Sequence, residues 1–259
     1  MFKSLKAKGE KALIPYITAG DPDITTTEKL LEHLISSGAD MIELGIPFSD
    51  PMADGPTIQA ASQRALLNKF SIKAILDLVK KVRTYSTIPI ILFGYYNPFY
   101  QYGLTELCRD AKEAGADGFL IVDLPPEEAG SIKNEADTGG LDMIFLLAPT
   151  STDERIRRVA EMGTGFIYFV SVTGVTGARD SLDEMLGAYV KNIRMHTALP
   201  IGIGFGVSKP EHVREIGGYA DAVIVGSAII KVMEANLGKP DMLERVGQFV
   251  SSLKEATRS

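Results

Sequence analysis

Ser36-Ser37-Gly38-Ala39-Asp40-Met41-Ile42-Glu43-Leu44 recurs twice in the chain, as EAGADGFLI over 113–121 and GGYADAVIV over 217–225. All three copies follow one grammar. An amphipathic stretch ends in small residues, Ala-Asp turns the chain, and an apolar run begins. Glycine suits the left-handed cap of a helix, so each copy reads as a helix-to-strand joint. A fully apolar strand run is the signature of a parallel sheet buried on both faces.

Outward from these joints, the rest of the sequence keeps the same rhythm. Apolar runs at 13–18, 41–44, 89–93, 118–122, 143–147, 166–170, 200–203 and 222–225 read as eight strands. Helical patterns fall between them at 26–37, 57–67, 71–85, 104–114, 126–137, 152–161, 182–196 and 210–216, with 243–256 closing the chain. Eight strands alternating with helices in about 250 residues fit an α/β fold, a single (β/α)8 TIM barrel with extra helices. A doubly wound open sheet is the rival. It would usually carry G-x-G-x-x-G after the first strand, and AGDPD (19–23) is not that. No Pro/Ser-rich linker interrupts residues 1–259, which read as one domain.

Composition removes several classes of function. Net charge is −6 and there is no long basic run, which argues against nucleic acid as a partner. The lone cysteine, Cys108, gives no disulfide framework and points to a reducing compartment. No apolar run reaches membrane-spanning length and no signal-peptide pattern opens the chain, so a soluble, cytoplasmic protein is expected.

In such a barrel the chemistry belongs at the carboxyl ends of the strands. There stand Gly20-Asp21-Pro22, the loop from Gly45 to Pro56, Gly94-Tyr95-Tyr96-Asn97, Asp123-Leu124-Pro125, the run Ser171–Gly177, Gly204–Ser208 and Gly226-Ser227-Ala228. Glu43 lies among Met, Ile and Leu in the second strand, and Asp54 returns a second carboxylate from the following loop. Burial raises the pKa of such a carboxyl, which suits a group that gives and takes a proton near neutral pH. The alternative is a strand-end residue paired with a buried cation.

The glycine turns after strands seven and eight, joined by Thr176-Gly177, suit a phosphate held by backbone N–H groups and a helix dipole. Tight turns alone would also explain them. Residues 173–183 read as a mobile lid or an ordinary surface loop. His33, His196 and His212 avoid the strand ends, so no metal site is expected. No lysine stands at a strand end either; Lys209 opens a helix, and a Schiff-base mechanism lacks its nucleophile. Carboxylate acid–base chemistry beside a phosphate anchor remains.

ELGIPFSDPMADGPTIQ (43–59), PYITAGDP (15–22), VTGVTGAR (172–179), GFGVS (204–208) and VGSAII (225–230), in this order, closely resemble the tryptophan synthase alpha chain family over essentially the whole sequence. The resemblance implies retro-aldol cleavage of indole-3-glycerol phosphate to indole and glyceraldehyde 3-phosphate, in tryptophan biosynthesis, without metal or organic cofactor. It implies Glu43 as the acid–base group and Asp54 as acceptor of the indole N–H. Tyr168 matches a tyrosine near the catalytic carboxyl, and Thr176 a lid threonine that orders Asp54. Gly177, Phe205, Gly206, Gly226 and Ser227 match phosphate-binding positions. Tyr16, Phe93, Tyr95 and Val122 fall where the family lines its indole pocket.

The implied partner is the tryptophan synthase beta chain in an alpha2beta2 heterotetramer, with pyridoxal phosphate confined to that partner. Asp50 and Pro51 would sit on the docking loop. A stand-alone lyase and a silent activator of the beta chain are the competing readings; the presence of both Glu43 and Asp54 argues against the second.

Overall fold

The computed structural model describes residues 1–68, 71–170, 179–204 and 206–258, the side chains of 179–185 excepted. Its elements are α1 (Phe2–Ala7), β1 (Ala12–Thr18), α2 (Ile24–Ser36), β2 (Ile42–Gly45), α3 (Pro56–Leu67), α4 (Ile72–Val82), β3 (Ile90–Gly94), α5 (Tyr96–Tyr102), α6 (Leu104–Ala114) and β4 (Gly118–Ile121). There follow α7 (Gly130–Gly139), β5 (Asp142–Leu147), α8 (Asp153–Met162), β6 (Ile167–Val170), α9 (Arg179–His196), β7 (Ile201–Gly204), α10 (Pro210–Gly217), β8 (Ala222–Val225), α11 (Ser227–Glu234) and α12 (Met242–Glu255). The strands pair in parallel in chain order and close on themselves through β8 and β1, where Ala12 lies beside Ala222 and Pro15 beside Val225. This is the (β/α)8 barrel expected from the eight-fold alternation.

Strand parity divides the core in two. Leu13, Ile17, Ile42, Leu44, Leu92, Phe119 and Phe169 point outward into the layer beneath the helices. Ile14, Tyr16, Ile91, Phe93, Leu120, Ile144, Phe166 and Ile224 point inward and fill the barrel. Successive residues of a strand face opposite sides, so the apolar runs are continuous because each parity has its own core. Leu5 of α1 joins the inner set, and the Phe2 ring stands 6.0 Å from Phe166 at the amino-terminal mouth.

The repeated Ala-Asp has a specific task. Asp40 accepts the Leu13 N–H at 2.8 Å, Asp117 that of Ile90 at 2.8 Å and Asp221 that of Ile201 at 2.9 Å. Each aspartate thereby ties the start of β2, β4 or β8 to the start of the strand before it. Thr164 does the same before β6, accepting the Met143 N–H at 2.9 Å. Each aspartate also meets a cation: Lys254 at Asp40, Arg83 at Asp117 and Arg194 at Asp221.

Some expectations are corrected. Gly38 and Gly115 have the left-handed φ of +96° and +91°. In the third copy Tyr219 takes the place of that glycine, and Gly218 before it is right-handed, with φ −63° and ψ −25°, like Ser37 in the first. The helix expected over 126–137 starts at Gly130: Pro125 and Pro126 set turns closed by the Glu128 and Ala129 N–H groups first. Helix α2 begins two residues early, since Asp23 caps the Thr26 N–H at 2.7 Å. Helices α1 and α5 have no counterpart in the sequence reading. The first is six residues long, too short to show a period; the second begins with Tyr-Asn-Pro, which reads as loop although proline is tolerated in a first helical turn.

Candidate active site

Glu43 sits on β2 with Tyr16 of β1 and Ile91 of β3 as its register neighbours. It is 0% exposed, and neither carboxylate oxygen has a hydrogen-bond partner among the described residues. Among the described residues no cation meets Glu43, as the reading of it as half of a buried ion pair would require. Desolvation pushes its pKa well above the usual carboxyl range. A buried carboxyl without protein partners is costly, and its lone pairs stay available to a molecule that enters.

Two tyrosines flank it, each seated in space that a glycine leaves open. A Cβ on Gly45 would overlap the Tyr16 hydroxyl, and one on Gly204 would overlap the Tyr168 hydroxyl. On its other side the Tyr16 ring lies against the end of the neighbouring β8, where a Cβ on Gly226 would lie 3.2 Å from it. The same ring stands edge-on to Phe93 at 4.9 Å. The Tyr16 hydroxyl meets Thr18 Oγ1 at 3.4 Å. Burial and the charges of Glu43 and Asp54 raise the pKa of both phenols, which stay neutral.

Asp54 stands in the loop between β2 and α3. Burial lifts its pKa to about 6 against the lowering effect of a hydrogen bond from Tyr95, whose hydroxyl donates to Oδ2 at 3.1 Å. The loop behind it is fixed at two more points: Gln59 Nε2 donates to the Asp54 carbonyl at 2.9 Å, and the Ala53 N–H donates to the Tyr95 hydroxyl at 2.9 Å. Asp50 is exposed, Pro51 half-buried and Met52 85% exposed at the outer turn. Phe93, Val122 and Tyr168 join Tyr16 in the inner cluster, so four expected pocket residues line the barrel interior.

The glycine turns lie beside one another because β7 pairs with β8 through Gly204 and Ile224. Gly206 is exposed, with a φ of +69° that disfavours any other residue. Gly226 caps α11 and Ser227 is its first residue. The first N–H groups of that helix have no intrahelical acceptor and point toward the mouth. Thr176, Gly177 and Phe205, with lid residues 173–178, lie outside the described residues; from Arg179 the chain is α9.

The sequence reading missed how these loops are held. Arg64 of α3 grips the buried Asp21 with Nε at 2.8 Å and Nη2 at 2.9 Å, and reaches Glu234 of α11 with Nη1 at 2.9 Å. One guanidinium therefore ties helices α3 and α11 to the loop after β1. Asp21 stood out as a strand-end residue, but its partner is 43 positions away and no local pattern points to it. His212, read as a helical residue away from the strand ends, does lie in α10, yet its Nδ1 is 3.2 Å from the Gly206 carbonyl, against the glycine turn.

Fold and site together define a (β/α)8 barrel whose mouth holds two carboxyls of raised pKa and, after β7 and β8, two glycine turns. Residues 2–258 match the family model described as tryptophan synthase alpha chain. The tryptophan synthase alpha chain of Geotalea uraniireducens is 54% identical over 258 residues, covering 100% of this chain and 96% of that one. The crystal structure of tryptophan synthase subunit alpha from Legionella pneumophila superposes with a TM-score of 0.91 at 41% identity, covering 99% of this chain and 96% of that one. A chain of Mycobacterium tuberculosis tryptophan synthase superposes with a TM-score of 0.90 at 34% identity, covering 100% and 96%. The chain belongs to the tryptophan synthase alpha chain family.

Proposed function

We propose that this protein cleaves indole-3-glycerol phosphate to indole and glyceraldehyde 3-phosphate, the alpha reaction of tryptophan biosynthesis. The observation that carries the reading is the buried carboxyl of Glu43, without a hydrogen-bond partner among the described residues, with the pKa of Asp54 raised to about 6 in the following loop and the glycine turns at the ends of β7 and β8.

Glu43 protonates the indole ring at C3 and takes the proton of the glycerol hydroxyl as the carbon–carbon bond breaks. Protonation makes the ring an electron sink, so this route needs neither a Schiff base nor a metal. Asp54, as its anion, accepts the indole N–H and stabilises positive charge that develops on the way to the transition state. Tyr16, Phe93, Tyr95 and Val122 flank the indole. The N-terminus of α11, with Gly206, Gly226 and Ser227, anchors the phosphate, and Thr176, Gly177 and Phe205 complete that anchor and the lid. Tyr168 orients Glu43.

The partner is a tryptophan synthase beta chain in an alpha2beta2 assembly, docked through the loop that carries Asp50 and Pro51. Pyridoxal phosphate belongs to that beta chain; this chain works without a cofactor, as one barrel domain in the cytoplasm. Among the described residues no helix is long and apolar enough to cross a membrane. The test is indole release from indole-3-glycerol phosphate, with and without a beta chain. Release by wild type that vanishes in Glu43→Gln is expected; release that persists in the variant sinks the acid–base role.

A further inference from the structure

We propose that Tyr95 is a positioning residue that latches the loop 48–54 to the end of β3 and thereby holds Asp54 in its working orientation. The inference rests on the lyase reading for its consequence, but its geometry is independent of that reading.

Tyr95 directly follows β3 and is 3% exposed. Its side chain touches the loop at three places. The ring packs on Phe48 at 5.3 Å with an interplanar angle of 34°. The hydroxyl accepts the Ala53 N–H at 2.9 Å and donates to Asp54 Oδ2 at 3.1 Å. A phenol has one proton to give, and here it goes to the carboxylate; its lone pair is used by the backbone N–H one residue earlier. The two bonds therefore fix the Asp54 side chain relative to its own main chain, and both relative to a rigid strand. Among the described residues no other side chain donates to that carboxylate.

The need for a latch follows from the loop's exposure. Ser49, Asp50, Met52 and Ala53 all face solvent, so little burial holds this stretch in place. A carboxylate that must meet one N–H gains most from being held before the ligand arrives. The bond from Tyr95 favours the anion, so the same contact that aims Asp54 also keeps it charged. The other titratable groups shown to interact with Asp54 are Tyr16 of β1 and Tyr168 of β6. Burial keeps both of these phenols neutral, and no described cation offsets the loss of the Tyr95 bond.

Tyr95→Phe keeps the ring on Phe48 and removes only the hydroxyl. Two readouts separate a latch from a packing role. One is NMR titration of the Asp54 carboxyl carbon, assigned by its disappearance in Asp54→Asn. The other is the pH profile of kcat/KM for indole release by the full chain. The latch predicts an Asp54 midpoint about one pH unit higher in the variant. It also predicts kcat/KM about ten- to a hundredfold lower near pH 6, the deficit narrowing as pH rises. A variant whose midpoint and acid limb coincide with those of wild type overturns the latch, whatever its rate. So does a shifted midpoint with unchanged rates at every pH. Wild type that releases no indole while the midpoint still moves overturns the lyase reading and leaves the latch standing.

Discussion

Asp117 and Ile90 bond to each other twice: the Ile90 N–H donates to the Asp117 carboxylate at 2.8 Å, and the Asp117 N–H donates to the Ile90 carbonyl at 2.9 Å. The pair closes the amino-terminal end of β3 against β4, the end of the barrel opposite the candidate site. Asp117→Ala orphans a strand N–H that is shielded from water and removes the only anion on Arg83 among the described residues, which keeps its bonds to the Gly115, Ser86 and Ile88 carbonyls. The expected cost is about 1–3 kcal/mol of stability. Urea unfolding should show it, while kcat/KM for indole release stays at the wild-type value. An equal loss of activity at full stability would mean that the two ends of the barrel are coupled.

At the other end, the hydroxyl of Tyr168 fills the room left by the missing side chain of Gly204. Gly204→Ala drives a methyl group into a hydroxyl that has a buried carboxylate as its neighbour. Overpacking of this kind costs about 1–3 kcal/mol. Displacing the Tyr168 hydroxyl disturbs the surroundings of Glu43, so turnover should fall further than stability does. Tyr168→Phe keeps the ring and should fold normally. Parallel unfolding curves and indole-release assays on both variants decide it; Gly204→Ala with wild-type turnover would show that the hydroxyl position is immaterial.

Much of this architecture is legible in the chain because each level repeats one physical rule. The eight apolar runs are strands buried on both faces, and the three Ala-Asp joints mark where they begin. Glu43 stood out because an ionisable group in such a run has no cheap place to go. What stayed hidden depends on distance in sequence. Arg64 on α3 is an ordinary helical arginine until Asp21 and Glu234 arrive from other loops. Tyr95 reads as a pocket aromatic, and only the path of the chain brings Ala53 and Asp54 to its hydroxyl. The capping tasks of Asp40, Asp117 and Asp221 are likewise invisible until strand register sets each beside the preceding strand.

Asp54 titrates near pH 6, raised by burial, so its charge is lost within an accessible range. In the proposed reaction only the anion accepts the indole N–H. The kcat/KM for indole release should therefore fall as pH drops through about 6 and level off above it. Asp54→Asn should lose about 3–4 kcal/mol of transition-state stabilisation, the scale of one preorganised group. That variant should also lack the acid limb assigned to Asp54. A rate constant unchanged by the substitution would remove Asp54 from the mechanism.

Glu43 ties function to stability with a definite sign. Its folded-state pKa is raised well above that of an exposed glutamate by desolvation alone. Between the unfolded and folded values the native state holds a proton that the unfolded chain has released. Stability therefore declines as pH rises from about 4.5, by at most about 1.4 kcal/mol per pH unit, until the folded-state value is passed. Glu43→Gln keeps the shape and cannot ionise, so it escapes this loss. The variant should match wild type near pH 4.5, grow steadily more stable than wild type toward pH 8, and release no indole at any pH. Denaturant unfolding of both proteins across that range measures the difference directly. Curves that stay parallel would mean that water or a cation reaches the carboxyl in solution, and the dry acid–base group on which the proposed chemistry depends would be lost with it.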